Sequence, residues 1–152
     1  MAEKQKLEFI NIRNKRATFE YQIIESFIAG IQLLGTEIKS VRQGKVNMGD
    51  AFCFFDKGEL FVRNLHITEY EKGTHANHEP LRERKLLMHK RELKKLQSKI
   101  KERGFSIVVL RCFTTERGLA KLEIALARGK KNYDKRESIK QKDMERELDR
   151  MF

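Results

Sequence analysis

Four groups of basic residues carry most of the chemistry available to this sequence. They are Arg13-Asn14-Lys15-Arg16, then Lys39, Arg42 and Lys45, then Arg82, Arg84 and Lys85, and finally the run from Arg128 to Arg136. Each such cation can displace a counterion condensed on a polyanion. Asn14, His89 and Tyr133 lie beside these charges and offer hydrogen-bonding or stacking groups of the kind that hold splayed RNA bases. Bond-breaking chemistry has no comparable support. The sequence has no glycine-rich phosphate loop, no HExxH and no GxSxG. Asp50 and Asp56 stand near turns, where a structural role is the default. Cys53 and Cys112 are isolated in apolar runs and read as reduced, buried thiols. His75 and His78 are three apart without a third ligand nearby in sequence, so no metal or cofactor is expected.

The charge balance agrees. The 152 residues include 33 Lys or Arg and 22 Asp or Glu, a formal net charge of +11. An excess of this size points to a polyanionic partner, nucleic acid or an anionic surface, without choosing between them. Charged residues reach 36% and hydrophobic residues 39%, which suggests one compact core plus a solvated charged segment. No apolar run approaches the roughly 20 residues needed to span a bilayer, and nothing behind Met1 resembles a signal peptide. The expected location is the cytoplasm.

The elements that must position the basic groups read mostly as strands. Thr18 to Ile23 alternates polar and apolar, and Phe27 to Leu34 continues in extended character, with Gly30 marking a bulge or bend. Thr36 is placed to cap a short helix, Glu37 to Gln43, which Gly44 ends. Ala51 to Phe55 and Glu59 to Leu65 flank Asp56-Lys57-Gly58 as a hairpin, and His66 to Tyr70 extends its second strand. Glu71 to Asn77 reads as an exposed loop. Pro80 opens a long helix ended by Gly104, with Leu86, Leu93, Leu96 and Ile100 on one face. Phe105 to Phe113 and Leu119 to Leu126 are strands joined by a hairpin loop. From Arg128 on there are nine basic and six acidic residues, with Ile139, Met144, Leu148 and Met151 at rough helical spacing. This tail is expected to be disordered alone and helical on a partner. The division is a barrel over residues 1–128 and a basic tail over 129–152. A mainly β, small closed antiparallel OB-like barrel with flanking helices fits this pattern, and an open α+β sandwich is the alternative.

Several blocks then stand in a specific order: Asn14-Lys15-Arg16-Ala17, Ala29-Gly30-Ile31, Gly35-Thr36-Glu37-Ile38-Lys39-Ser40-Val41-Arg42, Arg84-Lys85-Leu86-Leu87, and Ala127 through Arg136. Over nearly its whole length the chain resembles the small protein B family, the SsrA-binding (tmRNA-binding) proteins of bacterial trans-translation. The resemblance implies a non-enzymatic protein, expected to be a monomer, that binds the tRNA-like domain of tmRNA. It implies indirect partnership, through tmRNA, with alanyl-tRNA synthetase and elongation factor Tu. It also implies delivery of alanyl-tmRNA to the stalled 70S ribosome, where the tail meets 16S rRNA. By the same resemblance, the RNA-binding surface falls on Asn14, Lys15, Glu37, Lys39, Arg42, Arg82, Arg84, Lys85, Leu87 and Lys121. The decoding-centre motif falls on Gly129, Lys130, Lys131, Tyr133, Asp134, Lys135 and Arg136. Ile28 departs from the glutamate many relatives carry. On the residues alone, Glu37 cannot attract phosphate. Three roles stay open to it, capping its helix, orienting a nearby Lys or Arg, or accepting from a base amine or ribose hydroxyl, and the orienting role is favoured. An RNA-processing enzyme and a constitutive ribosomal protein are the competing readings.

Overall fold

The computed structural model describes residues 9–73, 77–102, 104–130, 144 and 146. The elements are β1 (Asn11–Arg13), α1 (Lys15–Glu20), β2 (Tyr21–Ile31), α2 (Gly35–Arg42), β3 (Val46–Asn47) and β4 (Phe52–Asp56). They continue with β5 (Glu59–Arg63), β6 (His66–Ile67), β7 (Arg84–Leu87), α3 (Lys90–Ile100), β8 (Phe105–Thr114) and β9 (Ala120–Gly129). The fold is mainly β with few helices. One sheet has the order β1-β8-β4-β5-β7-β2-β9, and β9 pairs with β8 as well as with β2. All these pairings are antiparallel. β3 and β6 form a separate two-stranded ladder.

Period-2 alternation builds the core. Phe27 and Ala29 of β2, Leu60 and Val62 of β5, Leu86 of β7, and Leu122, Ile124 and Leu126 of β9 are buried together. Val41 of α2 and Leu96 of α3 enter the same core. Cys53 and Cys112 are buried in it as free thiols, and burial pushes the Cys112 thiol up to about 12 and the Cys53 thiol higher still. A smaller cluster sits where α1 lies on β8 and β9: Ala17 packs on Val108, Ala125 and Ala127, whose small side chains let the helix approach closely.

The hairpin forms as the sequence indicates. Asp56 pairs with Glu59, and the two-residue loop Lys57-Gly58 has φ of 51° and 79°, the left-handed pair a type I′ turn needs. Gly44 follows α2 with φ of 75°, the C′ conformation glycine favours.

Other segments differ. The segment read as a strand from Thr18 begins instead as helix α1, because Asn14 caps it: the Asn14 Oδ1 accepts from the Ala17 N–H at 3.4 Å. Thr36 does not cap α2. Leu34 is the N-cap residue, and the Thr36 hydroxyl pairs with His78 at 2.9 Å. The ladder irregularity falls at Ile24, between the pairs Ile23↔Ala127 and Glu25↔Leu126, while Gly30 stays in register. His66-Ile67 does not extend β5 but pairs with β3. The largest difference concerns Pro80. No helix starts there; residues 84–87 are a strand, and α3 begins at Lys90. The spacing of Leu86 from Leu93 and Ile100 spans two elements that point into one core. Within β7 the buried residues are Arg84 and Leu86, a strand period.

Candidate nucleic-acid interface

Glu37 organises one side of the molecule. Its Oε1 accepts from the Leu34 N–H at 2.8 Å, which satisfies one of the unpaired donors at the start of α2. The same oxygen accepts from Arg82 Nη2 at 2.6 Å, and Oε2 accepts from Arg84 Nε. Glu37 and Arg84 are both fully buried. Arg84 is saturated further by the Leu65 carbonyl at 2.8 Å and the Pro80 carbonyl at 3.1 Å. Burial by itself would raise the Glu37 carboxyl. The hydrogen bonds from Arg82, the Leu34 N–H and Arg84 outweigh it and hold the group below the ordinary carboxylate range. Burial lowers the Arg84 guanidinium, partly offset by Glu37. Glu37 thus both caps its helix and orients two arginines.

Around this buried pair the remaining candidates reach the surface. Lys39 is exposed on α2, with its ammonium 5.4 Å from the Tyr70 ring centre. Arg42 crosses to the β8–β9 turn and donates to the Gly118 carbonyl at 2.9 Å. Lys85 pairs with Glu59 at 3.1 Å. Leu87 is 47% exposed. Gly30 is in register with Leu87 on one side and Lys121 on the other, so these two lie in one row across β7, β2 and β9. Lys121 is half-buried and also in register with Phe113. Segments far apart in sequence therefore converge: α2, the strand β7 with Arg82 before it, and β9.

Asn14 and Lys15 stand on a second surface. Asn14 is buried and donates through Nδ2 to the Val109 carbonyl at 3.0 Å, besides capping α1. Lys15 is exposed on a groove of about 750 Å³, with Arg13, Thr18, Arg111 and Arg146 among its walls. Arg111 is paired with Glu123 and lies over the Phe113 ring at 4.3 Å. Arg111 and Phe113 escape a reading for basic clusters because each is a single polar or aromatic residue in an apolar strand. Their common parity, opposite to buried Cys112, is the signal that places them outward.

Of the tail motif, Gly129 closes β9 opposite Tyr21. Lys130 donates from its backbone to the Glu20 carbonyl at 2.9 Å and from Nζ to the Thr18 carbonyl at 3.1 Å. Backbone pairing thus runs through Gly129 to Lys130. Lys131, Tyr133, Asp134, Lys135 and Arg136 lie outside the described residues. Met144 and Arg146 have helical backbone. Among the described residues no group of three or more His, Cys, Asp or Glu could hold a metal ion. None of the described helices is long and apolar enough to cross a membrane. The chemistry on offer is cationic, with aromatic and apolar side chains interleaved, as in surfaces that hold RNA.

The family model described as SmpB protein matches residues 11–152. An SsrA-binding protein of Phocaeicola vulgatus is 58% identical over 143 residues, which cover 94% of this chain and 95% of the relative. One of Cytophaga hutchinsonii is 54% identical over 151 residues, 99% of each chain. Among solved structures, a chain from "tmRNA-SmpB: a journey to the center of the bacterial ribosome" superposes with a TM-score of 0.69. It is 48% identical and covers 80% of this chain and 85% of its own. With the match running from β1 to the C-terminus, at identities far above those that fold likeness alone produces, this chain belongs to the SmpB family.

Proposed function

We propose that this chain is a non-enzymatic tmRNA-binding protein that delivers alanyl-tmRNA to stalled ribosomes for trans-translation. The observation that carries the reading is the buried Glu37–Arg84 pair, which Arg82 joins from the surface, with Arg42 of the same helix bonded to the β8–β9 turn and Lys121 in one row with Gly30 and Leu87. Family membership and likeness to a chain solved with tmRNA and the ribosome support the choice of RNA. Lys15, Lys39, Arg82, Lys85 and Lys121 meet phosphates, and Leu87 supplies an apolar contact beside them. Asn14, Glu37 and Arg84 act from inside, holding the surface in shape. Arg42 braces the β8–β9 turn through Nη2.

The body is an OB-like barrel, supported by a pairing order that returns from β9 to β8. Residues from 129 on form the ribosomal arm, with Gly129 and Lys130 anchoring it to the body. Lys131, Tyr133, Asp134, Lys135 and Arg136 probe 16S rRNA in the decoding centre. Alanyl-tRNA synthetase and elongation factor Tu join through tmRNA, and the protein works as a cytoplasmic monomer without cofactor. Capture of RNA on the purified chain from a bacterial lysate, followed by sequencing, tests the reading. One dominant tmRNA species is expected. A spread of ribosomal RNA proportional to abundance would favour a constitutive ribosomal protein, and cleavage of the RNA would favour an enzyme.

A further inference from the structure

β4 pairs with β8 at Phe52↔Val108 and Cys53↔Ile107. β4 then runs on to Asp56, while β8 has already begun at Phe105. Between these diverging ends lies a cavity of about 480 Å³, within the range of small-molecule sites. Phe52, Phe54, Phe105 and Tyr21 give it aromatic walls. Two of the walls are held from outside. Phe54 stacks on Phe61 with ring centres 5.9 Å apart and carries the Arg63 guanidinium at 4.5 Å, which Glu83 fixes at 2.6 Å. Phe105 carries the Arg128 guanidinium at 4.4 Å. A pocket braced this way needs little ordering when filled.

The polar lining narrows the occupant. Arg16 donates to Glu20 at 3.0 Å and lies 2.9 Å from Asp50, so two carboxylates face one guanidinium. That balance disfavours a phosphate and suits a planar group with N–H donors on its edge. Asn14 lies between this cavity and the basic groove of Arg13, Lys15 and Arg111. A strand held by its phosphates in the groove is within reach of the pocket.

We propose that the cavity receives a single nucleobase extruded from the bound RNA, stacked against Phe52 and Phe54 and read through its amino edge by Asp50 and Glu20. Adenine, guanine and cytosine carry such an edge. The inference rests on the RNA-binding reading and adds a site to it. The test uses full-length chain and tmRNA substituted with 6-thioguanosine or 8-azidoadenosine, which keep an amino edge, irradiated and mapped by mass spectrometry. Crosslinks in residues 51–55 or 105–108 are expected. Phe54→Ala should weaken tmRNA binding roughly tenfold, from lost stacking, and Asp50→Ala, an exposed change that leaves the core intact, about threefold. Crosslinks confined to the surface of Lys39 and Lys121, with unchanged affinity in Asp50→Ala, would overturn the site while leaving RNA binding in place. A crosslink from the cavity to protein on assembled ribosomes would overturn it in favour of a peptide occupant. Absence of any tmRNA binding by the unaltered chain would instead remove the reading beneath it.

Discussion

Glu37 ties the start of α2 to Arg82 and Arg84 and so sets the geometry of the proposed interface. A buried carboxylate facing two arginines is costly to disrupt, since removal of one partner leaves a buried charge without compensation. Glu37→Ala is expected to lower stability by about 3–5 kcal/mol, read as a lower urea midpoint with an unchanged slope. Its acid behaviour follows from the lowered carboxyl. The unfolded carboxyl titrates at its ordinary value and the folded one below it, so the unfolded state binds the proton first. The contribution is complete above the ordinary carboxylate range and is lost as pH falls through the lower, folded value. Unfolding curves collected at decreasing pH should therefore fall more steeply for the unaltered chain than for Glu37→Gln. Parallel curves would mean that the pair adds nothing to acid sensitivity.

At the scale of elements, the β8–β9 turn and α2 hold each other. Gly118 has a φ of 78°, and a Cβ there would lie 2.8 Å from Arg42 Nη2. Gly118→Ala would strain the turn and push the Arg42 side chain off its carbonyl. A loss of about 1 kcal/mol is expected, seen in a thermal scan as a shift of roughly 4 °C. An unshifted transition would show that the turn relaxes freely. Helix α3 contributes differently. Leu93, Leu96 and Ile100 face the core, and Lys95 and Lys99 close on Glu25 at 2.6 and 3.2 Å. Its basic face is thus partly spent on docking the helix to β2.

Across the whole molecule, the +11 charge divides between the residues up to the end of β9 and those that follow it in sequence. Under the proposed role, Lys39→Gln or Lys121→Gln should each reduce the steepness of the log K against log salt plot by about one unit, because each cation neutralises about one phosphate. Filter binding across a salt series reads this directly. Neutralising Asp134, Lys135 and Arg136 together should leave tmRNA affinity largely intact and block peptide tagging on stalled ribosomes. Lost tmRNA binding in that variant would refute the division of labour.

Much of this was legible in the residues. The hairpin at Lys57-Gly58, the end of α2 at Gly44 and the strands β8 and β9 follow from local rules, because turn chemistry and alternation act over a few residues. The block from Gly35 to Arg42 and the block from Gly129 to Arg136, taken together and in order with the other segments, carried the family resemblance. Three features required the folded chain. Arg84 looks like a surface cation in sequence, and only long-range pairing with Glu37 and the Leu65 carbonyl makes its burial affordable. The segment after Pro80 satisfies a helical spacing and a strand alternation equally, and pairing with β5 and β2 selected the strand. The aromatic cavity exists because β4 and β8 separate after two residue pairs. A sequence states which side chains are available; burial, charge compensation and strand divergence are properties of residues that meet only after the chain has closed on itself.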